Sequence, residues 1–442
     1  MNTPICDFVR AYSQKKMARG HMPGHKGVEI LGMEPLDITE IQGADSLYEA
    51  DGIIRQSEEN ASLLFGCPTF YSTEGSTQCI KAMVYLALQW ARLQGKKPCI
   101  LAGRNAHKAF VTAAGLMDAD VEWLFPREGE SYLSCCPTPG ETEARLAAVQ
   151  PAALYLTSPD YLGHMADIAG IAKVCKKYGV LLLVDNAHGA YLRFLENSLH
   201  PMDQGADLCC DSAHKTLPVL TGGAYLHVSR AMAEDFPRPQ VKKAMSLFGS
   251  TSPSYLILQS LDMANFLLED GFARDIRQSA AMQAAFRTAF ALKAGHAVVG
   301  DEPLKLTVNA KALGYTGDEL AQILRENHVE CEFCDPDYLV LMRGGAGEAA
   351  WEKVLMNLEK KPPIAGTAPV FSRPRRVMGI REALMAPSEI ISAEESLGRI
   401  LAGVTVGCPP AVPIAVSGER IDEKALLCFR YYGIGHVDVV KE

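Results

Sequence analysis

Lys215 stands in Cys209-Cys210-Asp211-Ser212-Ala213-His214-Lys215-Thr216-Leu217. Thirty residues earlier, Val180-Leu181-Leu182-Leu183-Val184 ends in Asp185-Asn186-Ala187-His188-Gly189-Ala190. A lysine amine can form a Schiff base with an aldehyde. A carboxylate at the end of a buried strand can pair with a protonated ring nitrogen. Those are the two groups that pyridoxal phosphate (PLP) needs to be held and activated. Each residue also has a plainer role, since strand-end acids cap helices and most lysines are solvated.

Two further groups strengthen the pair. Ser72-Thr73-Glu74-Gly75-Ser76-Thr77 precedes a helical run. Free N–H groups at a helix start and nearby hydroxyls suit a phosphate, and Gly75 lets the backbone come close. Ser212 offers a hydroxyl from another side. Arg104-Asn105-Ala106-His107-Lys108 follows the strand-like Ile100-Leu101-Ala102. An imidazole at His107 can stack on one face of a pyridine ring, and Ala187 is small enough to pack on the other.

These side chains need a scaffold that gathers strand ends. From about residue 68 to 230, short apolar stretches alternate with helical ones. The predicted strands are 98–102, 121–125, 152–157, 180–185, 206–210 and 222–228. The predicted helices include 77–94, 106–114, 142–149 and 167–178. Such alternation implies an α/β fold with a mainly parallel sheet covered on both faces, its ligand beyond the carboxyl ends of the strands. Two long helices are expected over 255–269 and 273–293. A smaller α+β domain follows, with strands at 304–310 and 338–342 and a helix at 316–327. The expected division is an arm with little regular structure (1–50), a large coenzyme-binding domain (51–295) and a small C-terminal domain (296–442).

The chain has 442 residues, 48% hydrophobic and 21% charged, with a formal net charge of -9. The acidic balance argues against nucleic-acid binding. No apolar run reaches membrane-span length and no secretory signal is evident, so a cytoplasmic protein with reduced thiols is expected despite 13 cysteines. Cys331-x-x-Cys334 lacks a second pair, and Pro23-Gly24 breaks any helix that would align His21 with His25. No metal site is therefore expected.

With these residues in place, the chain resembles the bacterial-type ornithine/lysine/arginine decarboxylase family, a branch of the fold-type I PLP enzymes (aspartate aminotransferase-like). The matching segments are His21-Met22-Pro23-Gly24-His25-Lys26-Gly27, Asp45-Ser46-Leu47, Gly75-Ser76-Thr77, Arg104-Asn105-Ala106-His107-Lys108, Asp185-Asn186-Ala187-His188-Gly189-Ala190, Ser212-Ala213-His214-Lys215-Thr216-Leu217 and Ser250-Thr251-Ser252-Pro253-Ser254-Tyr255. Arg381-Glu382-Ala383 and Gly407-Cys408-Pro409-Pro410-Ala411-Val412-Pro413 match near the C-terminus. The resemblance implies a Schiff base on Lys215, a ring-nitrogen partner in Asp185 and a stacking ring in His107. It puts Ser76, Thr77 and Ser212 on the phosphate, and His188 and His214 beside the coenzyme. It implies a homodimer with active sites at the subunit interface, where Thr251 reaches the neighbour's phosphate. The chain resembles a short form without an N-terminal wing domain. It departs from the family at Glu74, where Asn is usual, at Cys408 and Ala411 in place of Tyr and Gly, and at Ser417 in place of Pro.

The implied reaction is decarboxylation of lysine, ornithine or arginine to the corresponding amine, a step of polyamine biosynthesis. Lys215 or His214 would protonate Cα. Glu382 and Glu419 are the candidate acids for the substrate's cationic end. An aminotransferase or lyase reaction on the same fold is the nearer alternative. A PLP-binding protein with little catalysis is the other.

Overall fold

A computed structural model of the chain describes residues 1–127, 130–344, 349–366, 368–369, 373–408 and 412–442. Its largest sheet has seven strands: β1 (Thr69–Ser72), β2 (Cys99–Gly103), β3 (Asp120–Leu124), β4 (Ala153–Thr157), β5 (Leu181–Asp185), β6 (Leu208–Asp211) and β7 (Ala224–Val228). Their order is β1-β7-β6-β5-β4-β2-β3. The expected α/β class with a mainly parallel sheet is what the chain adopts. β5 and β6 are parallel with Asp185 opposite Cys210, whereas β7 runs antiparallel to both β6 and β1. Every residue of β5, β6 and β7 is buried. That is why β5 reads as an unbroken apolar run up to its closing Asp185 instead of an alternating one.

By packing, the chain forms two compact units. The first comprises residues 1–97, 152–154 and 168–274, and the second 98–151, 155–167 and 275–442. In the first, α1 (Pro4–Gln14), α2 (Ile53–Phe65), α3 (Gly75–Leu93) and, later in the chain, Tyr255–Leu267 enclose buried apolar faces. α1 is a finding, because the sequence predicts an irregular arm there. Pro4 occupies the first turn, where its missing N–H costs nothing, and the Asp262 carboxylate accepts hydrogen bonds from the Ile5 and Cys6 amides at 3.0 Å. The helix is thus completed by a residue 257 positions away.

Two of the matched segments serve this scaffold. Asp45, 5% exposed, accepts from the amides of Gly52 and Ile54 and so closes the start of α2. The Tyr255 hydroxyl holds the Asp45 backbone on both its N–H (2.8 Å) and its carbonyl (2.6 Å).

The second unit holds a four-stranded antiparallel sheet of β8 (Val298–Val299), β9 (Lys305–Asn309), β10 (Phe333–Cys334) and β11 (Tyr338–Met342), ordered β10-β11-β9-β8. The helix Gly317–Glu326 contributes Leu320, Ala321 and Leu324 to a core with Leu306, Val308, Leu339 and Leu341.

Candidate active site

Lys215 lies on a single helical turn, Ala213–Thr216, directly after β6. Its Nζ is 3.0 Å from Nε2 of His188, which follows β5. His214 is fixed by its Nδ1, 3.0 Å from the Gly223 carbonyl before β7. Asp185 ends β5 with 2% exposure, and its Oδ1 accepts from the Ala187 amide at 3.2 Å. The Cys210 thiol points at the same oxygen from 3.6 Å. Burial pushes that thiol well above its ordinary value, so it stays a neutral donor to the carboxylate. The carboxyl ends of β5 and β6 and the start of β7 therefore meet around Lys215, as a ligand site on an open α/β sheet requires.

The phosphate-like cradle lies on the same side of the first unit. The Ser212 hydroxyl donates to Ser76 Oγ at 2.8 Å, at the first turn of α3. α3 is 19 residues long, so its start presents aligned N–H groups. Gly75 has φ +70° with open space where a Cβ would be, and its N–H is held by the Gly222 carbonyl at 2.8 Å. The hydroxyl of Thr73 is buried and has no hydrogen-bond partner among the described residues. Two paired hydroxyls, an orphan third and a helix N-terminus make a donor set that fits a phosphate. Replacing Ser212 by Ala should weaken PLP binding by about 1.5–3 kcal/mol, the range for a hydrogen bond to a charged group. A fluorescence titration of the apoprotein would measure it.

Thr77 and Glu74 are exposed, and the Glu74 N–H is bound by Ser72 Oγ. The Glu74 side chain reaches solvent, which spares a phosphate its charge. Thr251 is exposed in the loop before Tyr255–Leu267. His107 belongs to the second unit, where it caps the helix Lys108–Met117 by accepting from the Ala109 amide. Pro409, Pro410 and Ala411 lie outside the described residues.

The two substrate acids differ. Glu419 is 2% exposed, and both its oxygens receive Arg104, at 2.7 and 2.6 Å. Arg104 is itself fully buried and lies over the Trp123 ring at 5.0 Å. Glu419 is thus committed to an internal ion pair. Glu419→Ala should destabilise the protein by about 3–5 kcal/mol by stranding that guanidinium, as urea denaturation would show. Glu382 is exposed and accepts from the Gly379 amide at 3.3 Å, as a helix-capping acid does.

His21 and His25 lie in a turn, as the Pro-Gly between them requires. His25 receives the Gly27 amide on Nδ1 and meets Asp37 at 3.2 Å, while His21 meets the Tyr12 hydroxyl. Spacing gave no hint of a buried trio behind the site: Asp211, His200 and His227, all fully buried.

Residues 3–299 match the family described as "Orn/Lys/Arg decarboxylase, major domain". The chain belongs to the Orn/Lys/Arg decarboxylase family. It is therefore a PLP-dependent decarboxylase acting on a basic amino acid. An uncharacterized protein of Bacillus subtilis, YaaO, is 30% identical over 461 residues, spanning 96% of this chain and 93% of that protein. An arginine decarboxylase of the same organism is 28% identical over 465 residues, 96% of this chain and 92% of that one. Among solved structures, the lysine decarboxylase LdcF of Francisella novicida superimposes with a TM-score of 0.80. It is 15% identical and covers 99% of this chain and 81% of that one, a likeness of fold.

Proposed function

We propose that this protein decarboxylates arginine, with Lys215 as the residue that holds PLP. The observation that carries the assignment is the Lys215 amine 3.0 Å from His188, on the same short segment as the Ser212–Ser76 hydroxyl pair. Bound there, PLP would supply the electron sink for the bond broken at Cα. Lys215, Asp185, Ser76, Ser212 and the Gly75 turn would hold it, with Ala187 and His188 alongside. His107 is proposed to stack on its ring, and Thr77 and Thr251 to add phosphate contacts.

His188 accepts a hydrogen bond from Lys215 and so aims the amine. His214, tied to Gly223, stands beside Lys215 in sequence, and either group would return a proton to Cα. Arginine is favoured because the B. subtilis arginine decarboxylase matches along nearly the full length of both chains. Glu382 is the acid left open to a guanidinium.

The test is a panel of arginine, lysine, ornithine and neutral amino acids, each carrying a labelled carboxyl carbon. Arginine should release label as carbon dioxide and leave the amine. A keto acid as the product would establish transamination instead. Faster turnover of lysine would keep the reaction and replace the substrate.

A homodimer is part of the same proposal. Residues 15–52 carry Val28, Ile30 and Leu31 at 64%, 75% and 87% exposure, a cluster seldom left in water. A second copy is proposed to cover it. Leu31→Asp should convert the dimer to monomer in light scattering. The described cysteines are free thiols, which fits the proposed cytoplasmic setting. The amine product fits polyamine biosynthesis. Among the described residues no helix is long and apolar enough to cross a membrane.

A further inference from the structure

The buried trio behind the site has no part in the chemistry just described. Asp211 is the last residue of β6, one position before Ser212 and four before Lys215. Its Oδ2 lies 3.0 Å from Nε2 of His200 and 3.0 Å from Nε2 of His227. Its Oδ1 accepts from the Asn186 side-chain amide at 2.7 Å. All four residues are fully buried. An ionised carboxylate in such a place is costly unless donors surround it.

Burial pushes the Asp211 carboxyl up, but the two imidazoles outweigh it and hold the group well below the usual carboxylate range. Burial is also what pushes His227 down, against Asp211's pull. His200 takes the Met202 amide on Nδ1, so its Nε2 carries the hydrogen that Asp211 receives. The Phe65 ring seals the pair, 5.6 Å from His200 and 4.6 Å from His227. His200, Cys209 and Asp211 meet the spacing of a metal set. The shared carboxylate oxygen, however, already lies within hydrogen-bond reach of both imidazoles, so they serve it as donors.

Asn186 is where this network reaches the site. It follows Asp185 directly, its N–H is bound by the Cys210 carbonyl at 2.9 Å, and its own carbonyl receives the Gly189 amide at 2.8 Å. A Cβ on Gly189 would come within 1.9 Å of the Asn186 side-chain oxygen, so the turn fits closely around that amide. This turn carries Asp185 at one end and His188, the partner of Lys215, near the other. Asp211 is thus joined covalently to the Ser212–Lys215 segment and by hydrogen bond to the Asp185–His188 turn.

We propose that Asp211, anchored by His200 and His227, is a positioning residue that sets the Asp185–His188 turn against the Ser212–Lys215 segment through Asn186. The proposal rests on the reading of Lys215 and Asp185 as the PLP-holding pair. It assigns a function to His200 and His227, which are fully buried against Asp211.

The test uses the PLP-loaded full chain, with Asp211→Asn and Asn186→Ala compared with native protein. The readouts are visible circular dichroism of the bound coenzyme, which reports how it is seated, and the separate values of kcat and KM. Both variants should change the dichroism band and lower kcat by about a hundredfold, the scale of a small misplacement of reacting groups, with KM little altered. Asn186→Leu should not restore either signal, whereas Asn186→Gln should recover part of both. Unchanged dichroism and kcat in a folded Asn186→Ala protein would overturn the proposal, even if Asp211→Asn fails to fold. Native protein that takes up no PLP would instead refute the underlying site assignment.

Discussion

Lys215→Ala should abolish turnover, with kcat falling by about 10⁴-fold, the upper end of what one proton-transferring group supplies. The residue is asked to do two things. In the proposed site it would hold the coenzyme covalently, and it would stand where a proton can be returned to Cα. Alanine removes both, and no other lysine lies in the Ser212–Leu217 segment. His188 would also lose the amine it contacts at 3.0 Å. The variant should fold normally, because Lys215 is solvent-exposed and its short helix is secured by backbone bonds such as Leu217 N–H to the Ala213 carbonyl. Native protein treated with borohydride should carry coenzyme fixed to the peptide containing Lys215, and the variant should carry none. Label on any other lysine would defeat the assignment.

Asp185→Asn should lower kcat by about 10²–10³-fold while the protein still binds PLP. The substitution keeps the side chain's shape and its bond from the Ala187 amide, so it isolates the charge. Asp185 is buried, and the Cys210 thiol beside it is held neutral by burial. Its carboxylate would therefore meet the charge on the proposed coenzyme's ring nitrogen with little screening from water. Saturating-substrate kinetics would give the result. A kcat within threefold of native would show that the ring nitrogen finds its counter-charge elsewhere.

Much of this was legible before the structure. The unbroken apolar run 181–184 ending in Asp185 is a central strand, because burial on both faces leaves no room for alternation. The hydroxyl-rich 72–77 stretch is a helix start, because Gly75 and the small polar residues serve free N–H groups. Periodicity also placed the strands 304–310 and 338–342 and the helix 316–327, but not the later helices Ala350–Asn357, Ile380–Met385 and Glu423–Tyr431. It did not find β1 (Thr69–Ser72), which is four residues long and follows Pro68. Nor did it find α1, whose N-terminus is completed by Asp262.

The amino-acid sequence by itself determined the chemistry. Lys215, Asp185, Ser76 and Ser212 are residue types suited to hold such a coenzyme, and local pattern puts each at a strand end or a helix start. Only the tertiary structure decided which acids are free and which are spoken for. Glu419 reads as an open carboxylate until Arg104, 315 residues away, is seen against it. His200 and His227 read as ordinary histidines until both are found on one oxygen of Asp211. Local sequence carries backbone preference and burial, whereas the partner of a buried charge is chosen by chain segments that meet only when the protein folds.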